Sequence, residues 1–129
     1  EYYKGVNQTL RNQNGFTLIE IIAVLIILGI LAAVAVPKYN DLQKDARIKV
    51  AQGALGALQS TATMTYAKQL LNGTATANSW VEPGSNIVVG DFTGSITGQQ
   101  QITLTVTDGP NGWNTDLTVS DYTKTFNMW

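Results

Sequence analysis

The chain has 129 residues with no cysteine and no histidine, and its 8 basic and 9 acidic side chains leave a formal charge of −1. These counts exclude a disulfide framework, a thiolate metal site, a cysteine nucleophile and a histidine general base. They also give no electrostatic drive towards nucleic acid, and none is predicted as a partner. Charged residues make up 13% of the chain, against roughly 25% in an average globular protein, and the shortage is concentrated in one place.

From Phe16 to Val36 the sequence reads FTLIEIIAVLIILGILAAVAV, with Glu20 as its single charge. As an α-helix this run is about 31 Å long, close to the ~30 Å hydrocarbon core of a bilayer. Residues 16–36 are therefore expected to cross a membrane rather than to form a buried central helix, for which too few residues remain to build a surrounding shell. Lys4 and Arg11 ahead of the run favour a cytoplasmic N-terminus, whereas Lys38, Lys44, Arg47 and Lys49 beyond it argue the reverse. Ala33-Val34-Ala35 also fits a secretory cleavage site. Cleavage after Ala35 would release a soluble binding module starting at Val36.

The helix is expected to continue past the run, because no glycine–proline cluster separates it from the residues beyond Val36. Gly29 and Pro37 are its only interior breakers, and a kink is expected near them. Tyr39, Leu42, Ala46, Val50, Ala54 and Leu58 recur every three or four residues and predict one buried stripe. Asn72-Gly73 is a C-cap signal, so the predicted helix spans 16–71. Residues 72–84 read as a loop. Strands are then expected over Asn86–Val89, Gln101–Thr107, Asp116–Ser120 and Tyr122–Met128, with a tight turn at Asp108–Gly112. Thr103, Thr105 and Thr107 alternate with Ile102, Leu104 and Val106, which predicts a sheet with one wet face and one face on the helix. The fold class is α+β: a long helix packed on a small antiparallel sheet.

Charge divides the same way. Bases exceed acids over residues 38–71, and acids exceed bases over 72–129. Such a dipolar chain can attract copies of itself, and ordinary scattered surface charge is the equal alternative reading. No phosphate-binding glycine loop, paired-carboxylate motif or metal-ligand spacing occurs, so no enzyme activity and no cofactor are expected. Asp108, Asp116 and Asp121 are a weak candidate for calcium through oxygen ligands. Asn72-Gly73-Thr74 matches a glycosylation sequon, although a helix-ending turn explains it equally well. Trp80, Trp113 and Trp129 suit core or subunit-interface positions, or a ligand-binding patch in the secreted alternative.

Gly15-Phe16-Thr17-Leu18-Ile19-Glu20 resembles the cleavage and methylation motif of type IV pilins and their pseudopilin relatives. The apolar helix behind it, the Ala-Val-Ala-Val-Pro ending at Pro37 and the acidic, strand-rich end fit the same plan. Residues 37–73 look most like the mannose-sensitive haemagglutinin type of type IVa pilin. The resemblance implies a leader at 1–15 removed by a prepilin peptidase between Gly15 and Phe16, then N-methylation of Phe16. It implies a transmembrane and filament-core helix at 16–36, an amphipathic continuation at 37–71 and a globular head completed by 72–129. Glu20 would pair with the Phe16 amine of a neighbour and set each subunit in register. The implied partners are identical subunits in a helical homopolymer, the peptidase, an inner-membrane assembly platform and the membrane itself. The implied location is the bacterial inner membrane as a single-pass precursor, then a surface filament. A pseudopilin of a type II secretion system is the close alternative. Most members close a C-terminal loop with a cysteine pair, and this chain has none.

Overall fold

A computed structural model describes residues 15–129. One α-helix, α1 (Leu18–Leu71), leads into four strands: β1 (Gly84–Val89), β2 (Phe92–Thr97), β3 (Gln101–Asp108) and β4 (Thr123–Asn127). A short 3-10 turn at Val119–Asp121 precedes β4. The chain divides into two units at the Lys38–Tyr39 bond.

In the first unit, helix hydrogen bonding begins at Leu18 rather than Phe16, because Thr17 serves as the cap. In the single chain α1 runs through Gly29 and Pro37 without interruption. Proline deletes one backbone donor, and the bonds on either side suffice to hold one continuous helix.

The second unit holds the core. Its strands form an antiparallel meander in the order β1-β2-β3-β4. Ile102, Leu104 and Val106 of β3 are buried while the intervening threonines are not, as the alternation predicts. Together with Phe92 and Ile96 of β2, they pack on Ala54, Leu55, Leu58 and Ala62 of α1. Only two of the six expected stripe positions are buried. Ala54 and Leu58 are buried, but Tyr39, Leu42, Ala46 and Val50 are exposed. Full burial starts at Ala51; before it in this unit only Arg47 and Ile48 are half-buried, and the other positions are exposed.

The helix ends where Asn72-Gly73 predicts. Gly73, at φ +71°, donates to the Leu70 carbonyl at 3.1 Å, and Thr74 donates to the Gln69 carbonyl at 2.9 Å. This is a Schellman cap, and it satisfies carbonyls that the helix end would otherwise leave bare. Gln69 then fixes the next loop, donating to the Val81 carbonyl at 2.7 Å and accepting from the Val81 N–H at 2.8 Å.

Two strand expectations are corrected. β2 is not foreseen, because its Gly94 and Ser95 are poor strand formers. Gly94 is there for clearance: a Cβ would stand 2.5 Å from Leu58 Cδ1 and 2.8 Å from the Thr105 carbonyl oxygen. Conversely, Asp116–Ser120 is not a strand. Asp116 has a left-handed φ of 62°, and Thr118 leads into the 3-10 turn. Asp108–Gly112 accordingly opens a longer loop that reaches β4 only at Thr123.

Candidate functional site

The candidate site is the helix start and the apolar surface behind it. Every large apolar side chain from Phe16 to Val36 is between 41% and 86% exposed. Among the described residues this is the one helix long and apolar enough to cross a membrane. Such an area is unstable in water at roughly 25 cal/mol per Å², so it must be covered by lipid or protein.

Thr17 and Glu20 form a reciprocal capping box at its tip. The Thr17 N–H donates to Glu20 Oε2 at 2.7 Å, and the Glu20 N–H donates to Thr17 Oγ1 at 3.3 Å. Two of the four unpaired N–H groups of a helix start are thereby satisfied within the chain. Thr17 is the residue that reading for apolar runs overlooks, although the Thr-x-x-Glu spacing ahead of the run is its signature. A carboxylate offers about four acceptor positions. One bond to Thr17 therefore leaves Glu20 able to take a further donor.

Gly15 and Phe16 precede the helix as irregular backbone, and Phe16 is 86% exposed. A peptide bond outside the helical ladder is the kind a peptidase can engage. Residues 1–14, the rest of the expected leader, lie outside the described residues.

The three aspartates raised as calcium ligands each have a separate local role. Asp108 Oδ1 accepts from the Gly109 N–H at 2.8 Å. Asp116 pairs with Arg47 at 3.5 Å. Asp121 accepts the N–H and hydroxyl of Thr118 at 2.8 and 2.9 Å. No metal-ligating group of three or more acidic side chains occurs among the described residues. Those two Thr118 bonds, aided by Lys44, hold the Asp121 carboxyl below its ordinary range.

The tryptophans fall into two clusters. Trp80 is buried, its indole N–H donating to the Gly98 carbonyl at 3.0 Å, and it meets Tyr66 edge-on. Trp129 stacks at a tilt on the same Tyr66, 5.2 Å between centroids. Trp113 lies between Phe92 and Tyr122. Both clusters work as internal fasteners. Trp129 ties the C-terminus to α1, and Trp113 ties the loop before β4 to the sheet, in a chain without a crosslink.

Comparison with known proteins agrees with this geometry. Residues 10–36 match the family described as the prokaryotic N-terminal methylation motif. A fimbrial protein of Dichelobacter nodosus is 35% identical over 111 residues, covering 82% of this chain and 66% of the relative. A fimbrial protein of Pseudomonas aeruginosa is 32% identical over 105 residues, covering 80% and 65%. The type II secretion system core protein G of Pseudomonas aeruginosa is 46% identical over 54 residues, covering 42% and 38%. This chain thus spans between 38% and 66% of the length of these relatives. No solved structure matches it significantly. A methylation-motif helix start, an uncovered apolar helix and an antiparallel sheet packed on the second half of that helix place the chain in the type IV pilin family, pilins and pseudopilins together.

Proposed function

We propose that the protein is a structural subunit of a type IV pilus serving attachment or motility. Residues 1–15 are removed by a prepilin peptidase, the new Phe16 amine is methylated, and residues 16–36 hold the precursor in the inner membrane. An assembly platform then extracts the subunit, and the surface that faced lipid packs against identical helices. The observation that carries this reading is the apolar segment 16–36, exposed throughout and headed by the Thr17–Glu20 box. Within the filament, Glu20 takes the Phe16 amine of a neighbour alongside its own Thr17 bond. Packing opens α1 between Gly29 and Pro37, where the backbone is least costly to unwind.

A pseudopilin role is the second reading, favoured by the 46% identity of a 54-residue stretch to the secretion protein. The fimbrial likeness extends across about four-fifths of the chain and therefore into the head, which is why the pilus reading is preferred. No enzymatic role is proposed. Mass spectrometry of the mature N-terminus tests the processing: methylated Phe16 is expected, and a start at Val36 would mean a secreted module instead. Shearing cells and imaging the supernatant separates the two filament readings. Long surface filaments lost on deletion of the gene support the pilus, and their absence alongside failed protein secretion supports the pseudopilin.

A further inference from the structure

Asn-Gly occurs in the sequence at 14–15, 72–73 and 111–112, and Asn14 lies outside the described residues. The two later pairs share one local chemistry. An asparagine side chain carries an electrophilic amide carbon within reach of the next residue's backbone nitrogen, and a glycine there has no side chain to shield it. What the fold does with that nitrogen differs between them. At the end of α1 the Gly73 N–H is engaged, donating to the Leu70 carbonyl at 3.1 Å, while the Asn72 N–H donates to the Lys68 carbonyl at 3.1 Å. Thr74 closes the far side, its N–H and hydroxyl donating to the Gln69 carbonyl at 2.9 and 3.2 Å. In the loop after β3, residues 110–113 form a turn closed by the Trp113 N–H on the Pro110 carbonyl at 2.9 Å. Asn111 and Gly112 are its central residues, with Gly112 at φ +75°. A turn of this kind ties only the N–H of its last residue, so the N–H before it is left free. Accordingly, among the described residues the Gly112 N–H and the Asn111 side chain have no hydrogen-bond partner, and both residues are exposed.

We propose that Asn111 is a site of spontaneous modification in the folded head, and that the helix cap protects Asn72 from the same reaction. Loss of a proton from the Gly112 nitrogen lets its lone pair form a bond to Asn111 Cγ. The Cγ–Nδ2 bond breaks and the amide nitrogen leaves as ammonia, giving a cyclic imide. Water then opens the ring. Attack at Cγ leaves aspartate in an ordinary main chain; attack at the Asn111 main-chain carbonyl carbon leaves isoaspartate, with the chain running through Cβ. Either way one asparagine and one water become one carboxylate and one ammonium ion, with nothing oxidised or reduced. Residues 108–122 already hold Asp108, Asp116 and Asp121 and no base, so each conversion makes this loop more acidic. The isoaspartyl form also adds a carbon to the backbone of a turn that has little slack. Trp113, the last residue of the turn, is held between Phe92 at 5.8 Å and Tyr122 at 5.3 Å. At Gly109, on the other side, a Cβ would already lie 2.5 Å from the Phe92 ring. Modification therefore displaces Trp113, and the altered form accumulates with the age of the subunit.

The test incubates the purified full chain in mildly alkaline buffer, once in detergent micelles and once in urea, and follows both asparagines by peptide mass spectrometry. Isoaspartate is read separately by enzymatic methylation with a protein isoaspartyl methyltransferase. In urea the two sites should convert at comparable rates, because glycine follows each. In the folded chain Asn111 should convert on the order of tenfold faster than Asn72, the factor set by one hydrogen bond that must first break. Equal rates in the folded chain, or an Asn111 that converts only in urea, would overturn the proposal. Asn111→Gln supplies the control for the consequence, since the longer side chain closes such a ring far less readily. Tryptophan emission of the parent chain should drift in step with isoaspartate at position 111, and that of the variant should stay constant. Emission that drifts equally in both would overturn the displacement of Trp113.

Discussion

On the proposed filament reading, Glu20 carries two duties that substitutions can separate. Glutamine still accepts from the Thr17 N–H, as either residue does at the third position of a capping box, but it has no charge with which to form an ion pair with a protonated amine. Glu20→Gln should therefore leave amide protection of Leu18–Ile21 intact in detergent micelles while lowering filament yield. Glu20→Ala should lose both, and Thr17→Val should lose protection first. If Glu20→Gln assembled normally, the carboxylate would be a cap and nothing more. Asp121 gives a second handle, in the head. Its carboxyl is held below its ordinary 3.8 by the N–H and hydroxyl of Thr118, then by Lys44. The folded value is the depressed one, so this stabilisation is complete above about pH 3.8 and disappears as pH falls through the folded value. Acid titration monitored by Trp113 fluorescence should show the loop before β4 loosening in that range. Thr118→Val should move the midpoint up, towards the ordinary carboxyl value, and Asp121→Asn should abolish the transition.

Among the elements, legibility in the sequence tracked the strength of the local signal. The helix from the apolar run to Leu71 was readable because hydrophobic length, periodicity and the Asn72-Gly73 cap all agreed. β3 was readable because threonine and aliphatic residues alternate without exception from Ile102 to Thr107. β2 was hidden because its central glycine exists for the sake of Leu58, a contact partner 36 positions earlier that no local pattern reveals. The mistaken part of the stripe has the same origin: periodicity shows which residues share a helix face, not where the sheet that covers them begins. At the site, the Gly15–Glu20 motif stood out in the sequence, but the bonding of Thr17 to Glu20 needed three dimensions. The clearance at Gly94 is itself testable. Gly94→Ala forces a methyl against Leu58 Cδ1 and the Thr105 carbonyl, and overpacking of this kind costs about 1–3 kcal/mol. Thermal unfolding should show the loss as a lower Tm. The double variant Gly94→Ala with Leu58→Val should recover part of it, because the shorter side chain gives back the space.

At the scale of the whole molecule, the division into a basic helix stretch and an acidic end is partly neutralised inside each chain. Arg47 pairs with Asp116, and Lys44 acts on Asp121. Lys124, in the acidic end, donates to Gln59 at 2.9 Å. Lys49 donates to Gln52 at 3.4 Å. On the filament reading, Lys38 and Lys49 are the bases of 38–49 left to meet acidic groups of other copies. Exposed pairs are each worth little and are screened by salt, with a Debye length falling from about 10 Å at 0.1 M to about 3 Å at 1 M. Apolar burial between helices is not screened in this way, so filaments should persist in high salt while assembling more slowly. The expected pattern is specific. Unmodified subunits should assemble several-fold slower in 1 M than in 0.1 M sodium chloride by steered-encounter arguments, and Lys38→Gln with Lys49→Gln should remove most of that dependence. Arg47→Gln should preserve the salt dependence but release Asp116, exposing the loop between Pro110 and Tyr122 to faster proteolysis. A salt response unchanged in the double lysine variant and lost in Arg47→Gln would reverse the assignment, making Arg47 the intermolecular charge and its bond to Asp116 dispensable in the assembled state.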